Sequence, residues 1–337
     1  MMQRAGIGVL VYSWWGRAAH SPGDANGGPT DHRVVSLVLD ACQAAGLRVA
    51  FHLEPYEGRN EESVRSDLDH LAEAYGGHPA LVRHRERGNR PIVFMYDSYQ
   101  TPPEAWHRVL GAGGDLSVRG GLADFLVLGL WVERSHGEML VRGGFDGFYT
   151  YFATEGMTWG STHANWQFMA DFAHKHSLLF VPSVGPGYVD TAVRPWNSRN
   201  LRERRDGEYF SQSLDAAARV TPSLLSLTSF NEWHEGTQIE PAVPRDGYLD
   251  YGTQAPTPPP ATRSAECTYR LCLDDGLCVQ WGVYVAPCIS SHVPAASQVM
   301  SPRQGPNMYL DLIQQKVREC RENAHAPWCL ESRESST

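Results

Sequence analysis

The segment Ser229-Phe230-Asn231-Glu232-Trp233-His234-Glu235-Gly236-Thr237 sets two acids three residues apart, among an amide, an indole and an imidazole. If the segment turns helically, that spacing aims both acids the same way. Two close carboxyl groups push their proton affinities apart, so one can stay protonated near neutral pH. Cleavage of a glycosidic bond needs this division, with an acid for the leaving oxygen and a base or nucleophile beside the anomeric carbon. Glu232 and Glu235 are therefore the candidate chemical pair, and Asn231 can orient a sugar hydroxyl or a glutamate. The bland alternative is a helix start whose acids are favoured by the backbone dipole. The position just past the strand-like run Leu224–Ser229, amid Trp233 and His234, favours chemistry.

A second signal is His52-Leu53-Glu54-Pro55-Tyr56. An acid followed by proline at a strand end is a fixed, outward carboxylate, able to accept hydrogen bonds from hydroxyls. The alternative is a salt bridge from Glu54 to Arg59 or Arg17. Tyr96-Asp97-Ser98-Tyr99, Gly185-Pro186-Gly187-Tyr188 and Arg194-Pro195-Trp196-Asn197 add phenols, a cation and an indole, each weighed against ordinary packing. Trp14 and Trp15 can line a mouth, with one of them expected in the core. A metal reading would gather His234 with Glu232 or Glu235, joined by His52 or His163. H-E-x-x-H is absent and neighbouring side chains diverge, so no metal or other cofactor is expected.

These groups need a scaffold, and the sequence describes one. From Gly6 to about Tyr251, short apolar runs alternate with helix-like stretches. The runs are Gly6–Tyr12, Arg48–Leu53, Pro91–Met95, Phe125–Leu130, Phe145–Tyr149, Leu178–Pro182 and Leu224–Ser229. Helical patterns occupy Val34–Ala45, Glu61–Tyr75, Trp166–His176 and Tyr209–Val220. Continuous β-rich runs fit strands buried on both faces of a parallel sheet. Nearly every run ends in polar and aromatic residues. A (β/α)8 barrel gathers all those ends at one mouth, whereas a doubly wound sheet would concentrate them at one switch point. No G-x-G-x-x-G follows the first run, so the α/β fold expected is the TIM-type barrel. Seven runs rather than eight leave two unpaired strand edges, so a strand is either overlooked or precedes this chain.

The chain has 337 residues, with 42% hydrophobic and 20% charged, as in an ordinary globular protein. Its formal charge of −9 argues against a nucleic-acid partner. No apolar stretch approaches the ~20 residues that span a bilayer, and no signal peptide precedes the first run. The theme stops near Gly252. Residues 1–251 are assigned to the barrel, 252–305 to a linker or insert, and 306–337 to a terminal helix, Tyr309–Arg321, with a frayed tail. Cys267, Cys272, Cys278, Cys288, Cys320 and Cys329 crowd into this end. They form either a disulfide framework or, the favoured reading, idle residues of a foreign segment.

Taken together the motifs resemble glycoside hydrolase family 99, the glycoprotein endo-α-1,2-mannosidases. The resemblance rests on Ser13-Trp14, His52–Tyr56, Tyr96–Tyr99, Gly144–Thr154, Val181–Tyr188, Arg194–Asn197 and Thr228–Glu240. It implies a (β/α)8 barrel that cleaves α-1,2-linked mannose chains of N-glycans on glycoproteins, releasing glucosylated mannose in the Golgi from a membrane anchor. It further implies retention of configuration without a metal, through a 1,2-anhydro sugar formed by the sugar's own 2-hydroxyl. By motif, Glu232 deprotonates that hydroxyl. Glu235 protonates the leaving oxygen and then activates water. Glu54, Tyr56, Tyr96, Tyr188, Asn231 and Arg194 line the mannose site, and Trp14 packs against the glucose-side sugar. A monomer is expected. The family's anchor, stem and first strand are missing from these residues. Gly252–Gly305 intervenes before Pro306-Asn307-Met308-Tyr309-Leu310-Asp311-Leu312. A truncated or alternatively spliced form is therefore expected, and an inactive isoform or glycan-binding module is the rival to the enzyme.

Overall fold

The computed structural model describes residues 1–17, 32–241 and 308–322, with two short strands at 271–272 and 278–279. Strand β1 (Val9–Trp14) leads into α1 (His32–Ala44), β2 (Arg48–Leu53), α2 (Glu61–Tyr75), β3 (Arg83–His84) and β4 (Arg90–Met95). Next come α3 (Pro103–Leu110), β5 (Leu126–Leu130), α4 (His136–Gly143), β6 (Gly147–Tyr149) and α5 (Trp166–Lys175). β7 (Leu179–Val181), β8 (Ser183–Val184), α6 (Glu208–Arg219) and β9 (Ser226–Leu227) follow. An antiparallel pair, β10 (Leu271–Cys272) and β11 (Cys278–Val279), and α7 (Met308–Glu322) complete the order.

Six strands pair in parallel in the order β1-β2-β4-β5-β6-β7. β8 prolongs β7 past Pro182 and pairs in parallel with β9. Six plus β9 makes seven parallel positions, matching the seven runs in the sequence. β3 is a short antiparallel addition to β4. Among the described residues no ladder joins β1 to β9.

Alternation along the strands separates two apolar layers. Tyr12, Trp14, Phe51, Leu53, Val93, Met95, Val127 and Phe148 pack outward with helical residues such as Val35, Leu68, Leu71, Trp106 and Trp166. Ala50, Ile92, Phe94, Leu126, Leu128, Leu130, Tyr149 and Val181 pack with one another on the inner face. Tyr149 on β6 meets His52 on β2, with its hydroxyl 2.8 Å from Nε2. The two strands are three ladder steps apart, about 14 Å in a flat sheet. The sheet therefore curls around its own inner side chains, the architecture of a β/α barrel.

Helix α2 shows how local sequence fixes an element. Asn60 and Ser63 form a reciprocal capping box. Val64, Leu68, Leu71, Ala72 and Tyr75 recur at helical spacing and are all buried. Helices α3 and α4, absent from the sequence reading, are only two turns each. Gly137 and Gly143 lower the helix propensity of α4. Packing demands both, because a Cβ at Gly137 would run into Trp131 and one at Gly143 would meet Trp106.

Helix α7 buries Met308, Tyr309, Leu310 and Ile313, and Val317 is half-buried. It reaches both ends of the strand path. Gln314 donates to the carbonyl of Arg4 at 2.9 Å, and Lys316 pairs with Asp215 on α6 at 2.7 Å. Gly6, at φ 87°, lets Val317 come close, since a Cβ there would sit 2.8 Å from its Cγ2. Cys42 is a buried free thiol on α1. The framework or idle role expected of the six C-terminal cysteines lies outside the described side chains, as does the linker around Thr253–Arg263. Among the described residues no helix is long and apolar enough to cross a membrane.

Candidate active site

The loop after β9 is a closed turn. Ser229 N–H donates to the Thr237 carbonyl at 3.0 Å, and Ile239 N–H returns to the Ser229 carbonyl at 3.0 Å. The hydroxyls of Ser229 and Thr237 meet at 2.8 Å. Trp233 Nε1 donates to Glu240 Oε2 at 2.9 Å. Behind the turn, the buried Arg204 donates to the carbonyls of Gly236 at 2.9 Å and Gln238 at 2.7 Å. Its guanidinium lies 4.7 Å from the ring centre of Tyr309, so α7 backs the turn through one arginine. These ties hold the stretch that carries Asn231, Glu232 and Glu235.

Glu232 is 2% exposed. Its Oε1 accepts the His234 N–H at 3.0 Å, while Oε2 is buried with no partner. Burial pushes its carboxyl well above the usual carboxylate range, and the charge of Glu235 adds to the shift. Glu235 is partly buried, and its Oε1 accepts from Arg194 Nη1 at 2.9 Å. Burial raises this carboxyl as well, with Arg194 opposing. The charge of Glu235 thus reaches Glu232, whereas Glu235 answers chiefly to burial and Arg194. Asn231 is half-buried beside them.

Arg194 comes from the loop after β8, where one oxygen organises the neighbourhood. Asp190 Oδ2 accepts the Tyr188 hydroxyl at 2.9 Å, Arg194 at 3.1 Å and Asn197 Nδ2 at 2.9 Å. Val189 N–H donates to the Glu235 carbonyl at 2.8 Å. The loop approaches the turn closely because Gly185 has no side chain; a Cβ there would strike Ala153 and the Thr228 carbonyl. Burial, Glu235 and Asp190 all raise the Tyr188 phenol above its ordinary value. Asp190, only 1% exposed, is a residue that sequence reasoning missed. The signal was present, since its partners lie at 188, 194 and 197, inside motifs already singled out.

Glu54 stands past the end of β2, 1% exposed. Its Oε1 accepts from Ser13 Oγ at 2.5 Å and lies 2.6 Å from His52 Nδ1, while Oε2 is buried without a partner. Neither Arg17 nor Arg59 takes it. Arg59 donates to the carbonyls of Tyr96 at 2.8 Å and Asp97 at 3.0 Å, and Arg17 donates to Ser66 at 2.7 Å. The His52 ring sits in an aromatic cluster, 5.3 Å from Tyr96, 5.6 Å from Tyr149 and 5.6 Å from Tyr151. Tyr151 has φ 55°, a strained setting for a bulky residue. Its carbonyl accepts the Thr228 hydroxyl at 2.6 Å, linking this cluster to the turn after β9.

Two expected site residues are placed elsewhere. Trp14 is in phase with Tyr12, so it faces the helical layer and stacks on His70 of α2 at 6.3 Å. The Tyr56 hydroxyl lies 2.5 Å from Asp67 and 2.8 Å from Ser63, both on α2. The imidazoles of the metal reading are dispersed: His52 is held by Glu54, and His163 packs on Trp166 at 4.4 Å.

The profile of Glycosyl hydrolase family 99 matches residues 1–258. A glycoprotein endo-alpha-1,2-mannosidase of Rattus norvegicus is 45% identical over 262 residues, 76% of this chain and 56% of that protein. A glycoprotein endo-alpha-1,2-mannosidase-like protein of Homo sapiens is 43% identical over 264 residues, again 76% and 56%. The chain thus spans a little over half the length of the curated relatives it matches. Among solved structures, a GH99 endo-alpha-mannosidase from Bacteroides thetaiotaomicron superposes with TM-score 0.72 at 35% identity, covering 95% of this chain and 82% of that one. With its profile match, its relatives and its barrel in agreement, this chain belongs to glycoside hydrolase family 99.

Proposed function

We propose that the chain is a retaining endo-α-1,2-mannosidase acting on glucosylated N-glycans of glycoproteins in the Golgi. The observation that carries this is the buried Glu232–Glu235 pair past the end of β9, with Glu232 raised by burial and by Glu235, and Glu235 held by Arg194. The unpartnered Oε2 atoms of Glu54 and Glu232 support it, because buried acceptors need donors and a sugar brings several hydroxyls. Glu232 takes the proton of the sugar's 2-hydroxyl as the oxygen closes on the anomeric carbon to a 1,2-anhydro sugar. Glu235 delivers a proton to the departing oxygen, then removes one from the water that opens the ring. Glu54, Tyr96, Asn231 and Arg194 receive the mannose hydroxyls.

A second reading exchanges the two acids. Arg194 favours ionised Glu235, whereas Glu232 carries the stronger upward shift. A substrate with an activated leaving group decides between them, because it needs no acid. Under the first reading Glu235→Gln still expels the activated leaving group in a single turnover, with only its water step slowed, and Glu232→Gln does not; the opposite result favours the exchange. The function itself is tested with a glucosylated α-1,2-linked oligomannose. Release of glucosyl-mannose with retained configuration is expected. Binding without release would make the chain a glycan-binding module.

A further inference from the structure

We propose that His52 is a positioning residue that, with Ser13 and Tyr149, saturates one oxygen of Glu54 and presents the other to a sugar hydroxyl. The inference rests on the proposed glycan-binding function. Its starting point is strand alternation. Ser13 and His52 lie side by side in the β1–β2 register and face the inner layer, where most neighbours are apolar. Polar groups at such positions require partners, and theirs is the same atom, Glu54 Oε1.

The proton logic follows from that atom. A carboxylate oxygen only accepts, so Ser13 and His52 Nδ1 must both donate to it. A ring bearing one hydrogen then accepts at Nε2, where the Tyr149 hydroxyl stands at 2.8 Å. Tyr149 reaches across from β6, so the ring is gripped from two strands. Tyr96, Tyr149 and Tyr151 pack around it. With Oε1 doubly occupied, Glu54 cannot turn to satisfy Oε2 from the protein. Oε2 therefore stays buried and unpaired, an acceptor whose desolvation is compensated only when a hydroxyl arrives. His52 never touches the sugar in this account; it keeps one oxygen fixed.

The test uses the full chain and a glucosylated α-1,2-linked oligomannose. Asparagine can place a donor where Nδ1 lies, and glutamine only where Nε2 lies. His52→Gln should raise KM about tenfold with kcat nearly unchanged, the signature of lost uniform binding. His52→Asn should restore KM to within about threefold. Equal losses in both variants would mean that the ring only fills space, and an unchanged KM in both would also overturn the proposal. Should His52→Gln fail to melt cooperatively, Ser13→Ala and Tyr149→Phe, each lacking one oxygen, should raise KM in the same direction. A second readout needs no turnover: the imidazole 15N spectrum, with His52 assigned by its loss in His52→Asn. Hydrogen on Nδ1 is expected, and a bare Nδ1 overturns the proposal. If the wild-type chain neither binds nor cleaves the glycan, the proposed function falls and the spectrum still decides the role of His52.

Discussion

Two arcs of the barrel mouth hold buried carboxylates by different means. On the β1–β2 side, Glu54 is gripped by groups carried on strands, a serine hydroxyl and an imidazole backed by a phenol. On the β8–β9 side, Glu235 is tied to a guanidinium that it shares with Asp190, all on loops. The difference follows the work proposed for each. An acid that exchanges protons needs neighbours that tune its proton affinity, and charges do this strongly. An acid that only accepts a hydroxyl needs a fixed direction, which strand-borne hydrogen bonds give.

The largest effect should come from the charged arc. Glu235→Gln is expected to lower kcat by about 10²–10⁴ on the oligomannose, the range for a lost acid–base group. Glu54→Gln should act mainly on KM. If steady-state kinetics show both variants losing kcat equally, the two arcs share one role and the contrast collapses.

Arg194→Met comes next. Arg194 holds the Glu235 carboxyl down against burial, so its removal raises that proton affinity. With Glu235 as the acid, the alkaline limb of kcat/KM then moves to higher pH. Losing the partner of two buried acceptors should also cost about 1–3 kcal/mol of stability. A pH–rate profile with an unmoved limb would deny Arg194 its tuning role.

Glu232→Gln sharpens the comparison through stability. A carboxyl whose proton affinity is higher folded than unfolded stabilises the fold at low pH and loses that advantage as pH rises through the interval. Glutamine cannot ionise, so the variant should gain on the wild type as pH increases from 4 to 8. Each kcal/mol gained moves the melting temperature by roughly 2–4 °C. Parallel melting curves across that range would mean that Glu232 is not held protonated by burial.

Tyr56→Phe should give the smallest change. Its hydroxyl is engaged with Asp67 on α2, so a loss of about 1 kcal/mol in denaturant unfolding is expected, with KM unaltered. A raised KM would return Tyr56 to the sugar site.

Much of this architecture was legible because parallel strands buried on both faces leave long apolar runs, and helices such as α2 combine a cap with a clear apolar stripe. The short helices α3 and α4 escaped because two turns are too few to show a period, and in α4 Gly137 and Gly143, required there by Trp131 and Trp106, obscure the pattern further. The spacing of Glu232 and Glu235 singled them out only together with their place past a strand-like run, beside Asn231, Trp233 and His234. Trp14 was misjudged because adjacency to a motif does not reveal phase: one residue's shift along β1 sends a side chain to the opposite face. Tyr56 lies in the loop past β2, and the partners of its hydroxyl, Ser63 and Asp67, sit on α2, outside the motif that drew attention to it. Ser13 and His52 announced themselves only as polar groups in inward phase, a signal that needs the register of two strands to read.

Helix α7 seats against Arg204 and the N-terminal turn from far along the chain, past the stretch that the family profile matches. Joining two anchored points through an intervening polymer carries a closure entropy that grows only logarithmically, about 0.6 kcal/mol for each doubling in length. The docking of α7 is therefore only weakly sensitive to the number of residues between 241 and 308.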